Sequence, residues 1–165
     1  MNWLQRFFGD KNKVNDQNQL TKVDYVQITK DWNAHSVSPE IELQVINSNL
    51  IMTIIVNDYV FEGFDEGDKA SILFKSCSKY SLNTCNDEGY YYGQYRTNPS
   101  ELPWGGFYEI KSGLDREFPE PIVNLTMENS NKRHFIFFFK DETFECLADD
   151  YEIDFIRRAG IKTNA

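Results

Sequence analysis

Histidine and cysteine are scarce in this chain, two and three residues among 165. A catalytic arrangement built on a Ser-His-Asp or Cys-His pair therefore has only His35 and His134 to draw on. His35 falls in a polar loop and His134 opens a Phe-rich strand. Nucleophile elbows, Walker segments and dinucleotide fingerprints are missing. Gly105-Gly106 precedes a strand, so no helix end stands behind it to hold an anion. Cys77, Cys85 and Cys146 are odd in number, widely spaced and include no C-x2-C pair, which argues against a secreted disulfide framework and against zinc-type spacing. A three-Cys, one-His set, with His134 meeting Cys146 across a hairpin, is conceivable; buried inert thiols are the expectation. The longest apolar run, Leu50 to Val56, is too short to cross a membrane as a helix. Met1 to Gly9 has no continuous apolar stretch of the kind a secretory signal needs. The expectation is a cytoplasmic protein with reduced thiols and no cofactor.

Positive charge is also withheld, in a patterned way. The chain has 17 Lys and Arg against 26 Asp and Glu, a net charge of −9. Nucleic acid and anionic membranes are thereby disfavoured as partners. Neither Asp31 to Asp68 nor Asp141 to Ile156 contains a Lys or Arg. Such segregation suits either a solvated face or a docking surface for a basic partner, where complementary charge accelerates association.

Aromatic residues are abundant: 13 Phe, 9 Tyr and 3 Trp. A chain of this size with so many rings can bury a core without disulfides or metal. Trp3, Leu4, Phe7 and Phe8 lie on one face of a short helix, so residues 1–9 are read as an amphipathic helix and 10–19 as a polar tether. Residues 20–160 are read as one domain and 161–165 as a tail. Within the domain, strands are expected over Val23–Thr29, Glu40–Val45, Leu50–Val56, Tyr59–Phe64, Ala70–Cys77 and Phe107–Lys111. Asn47-Ser48-Asn49 and Asp65-Glu66-Gly67-Asp68 read as turns. Arg133–Lys140 and Thr143–Ala148 form a hairpin around Asp141-Glu142. In it Phe135, Phe137 and Phe139 point one way, and Ile136 and Phe138 the other, so both faces of the sheet need covering. Asp149 or Asp150 is placed to cap a last helix carrying Tyr151, Ile153, Phe155 and Ile156, ending near Gly160. The fold class is α+β: mainly one antiparallel sheet with short N- and C-terminal helices.

Lys75-Ser76-Cys77-Ser78-Lys79-Tyr80, then Asn86-Asp87-Glu88, then His134-Phe135-Ile136-Phe137-Phe138-Phe139-Lys140-Asp141-Glu142-Thr143-Phe144-Glu145-Cys146 follow one another in an order that resembles a family of small uncharacterised bacterial proteins. These share an asparagine-acid loop and a histidine-led terminal hairpin; here Cys85 stands before Asn86 in place of a proline. The resemblance implies a bacterial, intracellular, stand-alone domain and carries over no functional residue. In overall character the chain is similar to immunity proteins of polymorphic toxin systems, which are small, acidic, aromatic-rich and catalytically bare.

Together these readings favour a non-catalytic, immunity-type inhibitor that occludes a cognate bacterial toxin, such as a nuclease with a basic cleft, or another basic protein. The residues expected to meet that partner are Asp65, Glu66, Asp68, Tyr90, Tyr91, Tyr92, Trp104, Asp141, Glu142 and Glu145. The aromatic group Tyr90, Tyr91, Tyr92, Tyr95, Trp104, Phe107 and Tyr108 suits an interaction surface and suits equally a second core layer under an irregular loop. Two alternatives stand beside this: a small hydrolase using His134 with Glu145 or Asp141, and a housekeeping protein that binds a small ligand between sheet and helix.

Overall fold

The computed structural model describes residues 22–127 and 131–158. The N-terminal helix and tether expected over 1–19 and the tail at 161–165 lie outside the described residues. Within them the chain is mainly antiparallel β-sheet, arranged as two sheets: β1 (Asp24–Gln27), β2 (Glu42–Ile46), β3 (Asn49–Ile55), β4 (Lys69–Lys75), β5 (Lys79–Asn83), β6 (Phe107–Ser112), β7 (Ile122–Asn124), β8 (Arg133–Phe138), β9 (Thr143–Ala148) and β10 (Asp150–Ile156), with one short helix, α1 (Asp87–Tyr91). The larger sheet has the order β1-β6-β8-β9-β5-β7 and the smaller β10-β4-β3-β2. No helix among the described residues is long and apolar enough to cross a membrane.

Two hairpins follow directly from the sequence. β2 and β3 are joined by Asn47 and Ser48, at φ 48° and 65°. Two consecutive positive φ values give the turn whose twist matches that of the flanking strands, and Asn tolerates that conformation better than most side chains. β8 and β9 pair from Arg133↔Ala148 to Phe138↔Thr143, the hairpin expected around Asp141-Glu142.

The two sheets share a corner. β4 and β10 pair in the small sheet, and β5 and β9, their continuations, pair in the large one. Both chains therefore bend from one sheet into the other at the same level, through Ser76-Cys77-Ser78 and through Asp149, as strands do in sandwiches with a turned corner. Ser76 takes φ 47°. The buried Lys132 ammonium clamps the bend, 2.8 Å from the Ser76 carbonyl and 2.7 Å from Asp149.

Between the sheets lies the main core. Leu50, Met52, Ile54, Ala70, Ile72 and Phe74 of the small sheet face Phe107, Phe135, Phe137, Phe144 and Cys146 of the large one. Phe107 and Phe137 stack at 5.0 Å, and Phe74 tilts over Phe144 at 5.3 Å. The opposite face of the large sheet presents Ile110, Ile136 and Phe138, covered by Tyr90, Tyr95, Leu102 and the half-buried Trp104. That third layer is α1 and the irregular chain after it. The outward alternation of β8 thus has a cover on each side, as its pattern required.

Several expectations need correction. The C-terminal helix is a strand: Tyr151 and Ile153 pack inward while Asp150, Glu152 and Asp154 face solvent. This period of two was present beside the capping signal and belongs to a strand paired along its length with β4. Tyr59–Phe64 is a turn-rich loop, with Tyr59 79% exposed. The single expected sheet is two sheets. The one described helix, α1, was not expected; Asn86 caps it, its side chain accepting from the Gly89 N–H at 2.8 Å.

Candidate functional site

Strand alternation decides what His134 and Glu145 can meet. His134 sits opposite Leu147, and Ile136 opposite Glu145. All four side chains belong to the outer face of the large sheet, away from the sandwich core. There His134 Nε2 lies 2.8 Å from Glu145 Oε2. The histidine-carboxylate pair named from sequence is therefore formed, with Glu145 rather than Asp141, which stays exposed at the turn.

The pair is closed over. Arg96 reaches Glu145 with two nitrogens, Nε to Oε1 at 3.1 Å and Nη2 to Oε2 at 2.6 Å. The Tyr95 hydroxyl donates to Glu145 Oε1, and Arg96 Nη1 pairs with Asp115. Phe118 stacks on the His134 ring at 5.3 Å. Glu145 has no exposed surface and His134 only 3%. Burial acts to raise the Glu145 carboxyl, but hydrogen bonds from His134 and Arg96 outweigh it and hold the group below the usual carboxylate range. Burial also lowers His134, and the positive Arg96 and Arg116 add to this against the pull of Glu145. The arrangement is a neutral imidazole donating from Nε2 to an ionised carboxylate that a bidentate guanidinium neutralises. The Tyr95 hydroxyl, buried and facing Glu145, is raised well above its ordinary value. Chemically this is an anchor: it fastens the chain from Tyr95 to Phe118 onto the sheet.

Parts of the irregular segments 33–36, 57–61 and 104–105 meet the start of α1 and the β8–β9 turn at one end of the sandwich, while the chain around 116–119 and 125–126 lies against β5 and the Ser76-Cys77-Ser78 bend. Two clefts open at that end and share His35 as a wall. The larger, about 590 Å³, is lined by Glu40, Asp58, Tyr59 and Glu66 on one hand and Lys69, Arg157 and Arg158 on the other. The smaller, about 360 Å³, lies between the β3–β4 loop, the start of α1, Trp104-Gly105 and the β8–β9 turn. His35 Nδ1 accepts from the backbone N–H groups of Ser38 at 3.0 Å and Val37 at 3.3 Å, which places the ring proton on Nε2.

The ten residues named from sequence divide by burial. Asp65, Glu66, Tyr91, Tyr92 and Asp141 are exposed, and Trp104 and Glu142 are half-buried. Burial and the neighbouring Asp141 raise the Glu142 carboxyl. Asp68, Tyr90 and Glu145 have no free surface to offer. Asp68 was expected in an exposed turn. Instead its carboxylate accepts from the N–H of Asp65 at 3.0 Å and of Arg158 at 2.8 Å and pairs with Arg157 at 2.8 Å. Burial opposes ionisation of Asp68, but these donors prevail and lower it. Tyr90 fills the third layer, its hydroxyl 3.1 Å from Thr97 Oγ1, and burial pushes it up to about 12. The aromatic group left open between surface and core is thus split: Tyr90, Tyr95, Phe107 and Tyr108 are core, while Tyr91 and Tyr92 are surface.

The conceivable metal set comes apart. Phe135 sits opposite Cys146, so Cys146 faces the sandwich core, whereas His134 faces outward. Among the described residues no three His, Cys, Asp or Glu side chains cluster as metal ligands. Cys77 and Cys146 are buried free thiols, and burial beside Cys77 raises Cys146 well above its ordinary value. Sequence reasoning missed Arg96, Asp115 and Phe118. The available signal was Glu145 itself, a carboxylate in a strand otherwise fully apolar in environment, which demands a cation from elsewhere in the chain.

Comparison with known proteins gives no assignment: no family model, no curated protein and no solved structure matches this chain.

Proposed function

We propose that the protein is a non-catalytic protein-binding domain, an immunity-type inhibitor whose partner presents a basic surface, such as a bacterial toxin with a basic cleft. The observation that carries this reading is the loop end of the sandwich. Exposed or half-exposed carboxylates Glu40, Asp58, Glu66 and Asp87 line the clefts there with the exposed Tyr59, the exposed Asp65 adjoins Glu66 in its turn, and Lys69, Arg157, Arg158 and Lys140 stand among them. Carboxylates steer a basic partner, and tyrosines supply contact area at low entropic cost. The burial of His134 and Glu145 favours this over the hydrolase reading, because a general base must reach the proton it takes.

The test uses two baits side by side, the wild-type chain and an Asp65→Lys/Glu66→Lys double variant. The expected result is a basic protein retained by the first and depleted on the second at low salt. Equal retention on both baits contradicts the reading. Both substitutions lie in an exposed turn, so matching melting curves establish that the fold is intact.

A further inference from the structure

Among the described residues the two sheets end on β1 and β7, and on β10 and β2. An unpaired edge is a template for another strand, and folded chains blunt theirs. The register of β1 shifts between Asp24 and Tyr25. β7 is three residues long and follows Pro119 and Pro121. β10 presents Asp150, Glu152 and Asp154 to solvent. A second β10 laid antiparallel along its full length would set Glu152 against Asp154, like charges opposite one another. β2 lacks each of these features. It holds no Lys or Pro, its register is unbroken, and its one carboxylate, Glu42, is already engaged by Lys69 at 3.0 Å. Val45 and Ile46 are 42% and 44% exposed on this edge.

The β2–β3 turn determines which backbone groups of β2 are free. A two-residue hairpin closes on a hydrogen-bonded pair, here Ile46↔Asn49, and such pairs recur at every second residue. Ile46, Gln44 and Glu42 therefore direct their N–H and C=O groups to β3, and Leu43 and Val45 direct theirs outward. Antiparallel pairing with another β2 joins outward groups to outward groups, and one register engages the whole strand. Gln44 then lies on the two-fold axis, Leu43 opposite the partner's Val45, and Glu42 opposite the partner's Ile46. Leu43 and the partner's Val45 exchange both backbone bonds and bring aliphatic side chains together on the core side of the sheet, the face of Met52 and Leu50. Glu42 meets an aliphatic neighbour and keeps Lys69, so no like charges are opposed. We propose that two copies of this chain pair antiparallel through β2, joining their four-stranded sheets into one continuous sheet across a two-fold axis. Self-pairing through β2 is separate from the binding of a basic partner.

The full chain is measured by sedimentation velocity over a concentration series at physiological ionic strength, where the repulsion between two chains of charge −9 is screened. The expected result is a dimer. Val45→Pro removes an outward N–H and leaves the ladder to β3 in place, and Val45→Lys sets a charge on the edge. Both variants should sediment as monomers with the circular dichroism of wild type; the lysine variant decides the matter if proline disturbs the strand. Gln44→Cys reads the register. Opposed residues in a non-hydrogen-bonded pair have Cα atoms about 4.5 Å apart, within disulfide reach. Gln44→Cys should therefore form a covalent dimer on mild oxidation, and Ile46→Cys, opposite the partner's Glu42, should cross-link no more than wild type. A wild-type chain that stays monomeric at millimolar concentration, a dimer that survives both Val45 substitutions, or equal cross-linking through Gln44→Cys and Ile46→Cys overturns the inference. A monomeric wild type whose Val45 variants capture less of another protein also overturns it, and gives the edge to a strand of that protein instead.

Discussion

Removing Glu145 from water is expensive unless its lone pairs and charge are met, and His134, Tyr95 and Arg96 meet them together. Breaking such a set by neutralising one member leaves Arg96 without its buried counter-charge. Glu145→Gln should therefore cost about 3–5 kcal/mol in equilibrium denaturation; a loss below about 1 kcal/mol would place the pair among ordinary surface contacts. The same groups set a pH dependence. His134 is lowered from its ordinary 6.5, so the unfolded chain takes up the proton more readily than the folded one. The stability this provides is complete above 6.5 and declines as pH falls below it. Glu145 is lowered from its ordinary 4.5, and its contribution declines in turn below that value. Both slopes have the same sign: acid destabilises. Denaturation midpoints should fall from about pH 7.5 to about pH 5.5, and His134→Gln should flatten that change. A midpoint that rises on acidification would mean His134 is charged in the folded state.

At the scale of elements, what could be read in advance followed from period and turn chemistry. The β2–β3 and β8–β9 hairpins were legible because Asn47-Ser48 and Asp141-Glu142 sit between runs that alternate or are apolar throughout. The two-sided cover of β8 was legible from Phe135, Ile136, Phe137 and Phe138. β10 was misread because Asp149-Asp150, Arg157-Arg158 and Gly160 mimic helix ends, while its actual role depends on pairing with β4, some eighty residues away in sequence. Glu145 was placed on the surface for a similar reason: nothing near it in sequence announces Arg96. Hydrogen exchange distinguishes strand from helix. An edge strand protects every second amide over 150–156, those bonded to β4, whereas a helix would protect a continuous run after its first turn. Phe137→Ala and Phe138→Ala probe the two faces of β8 separately. Both rings are buried, one in the sandwich and one under Trp104 and Tyr90. Each substitution should cost about 3–5 kcal/mol; a small loss for Phe138→Ala alone would mean the third layer is loosely held.

Over the whole molecule, the stretches without Lys or Arg fall mainly, though not wholly, on the small sheet and its loops. The two stretches without Lys or Arg supply β2, β3 and β10, three of the four strands of the small sheet, β9 of the large sheet, and the loop from Val56 to Asp68. β4, between β3 and β10, brings Lys69 and Lys75, and each is engaged across the sheet, by Glu42 at 3.0 Å and by Glu152. The sandwich holds these acids on a rigid frame while the buried Glu145 anchor fastens the loop layer on the other side. Such a division suits recognition: a stable scaffold with function in the loops at one end. The central claim is that this end meets a basic protein under electrostatic steering. The most direct measurement is the association rate of the captured partner with wild type and with Asp65→Lys/Glu66→Lys, each at low and at physiological ionic strength. Exposed charges are screened over about 8–10 Å in ordinary buffer. The wild-type rate should therefore fall as salt rises, and the variant should associate more slowly with a flatter salt dependence. An on-rate indifferent to both salt and the reversals would contradict the account.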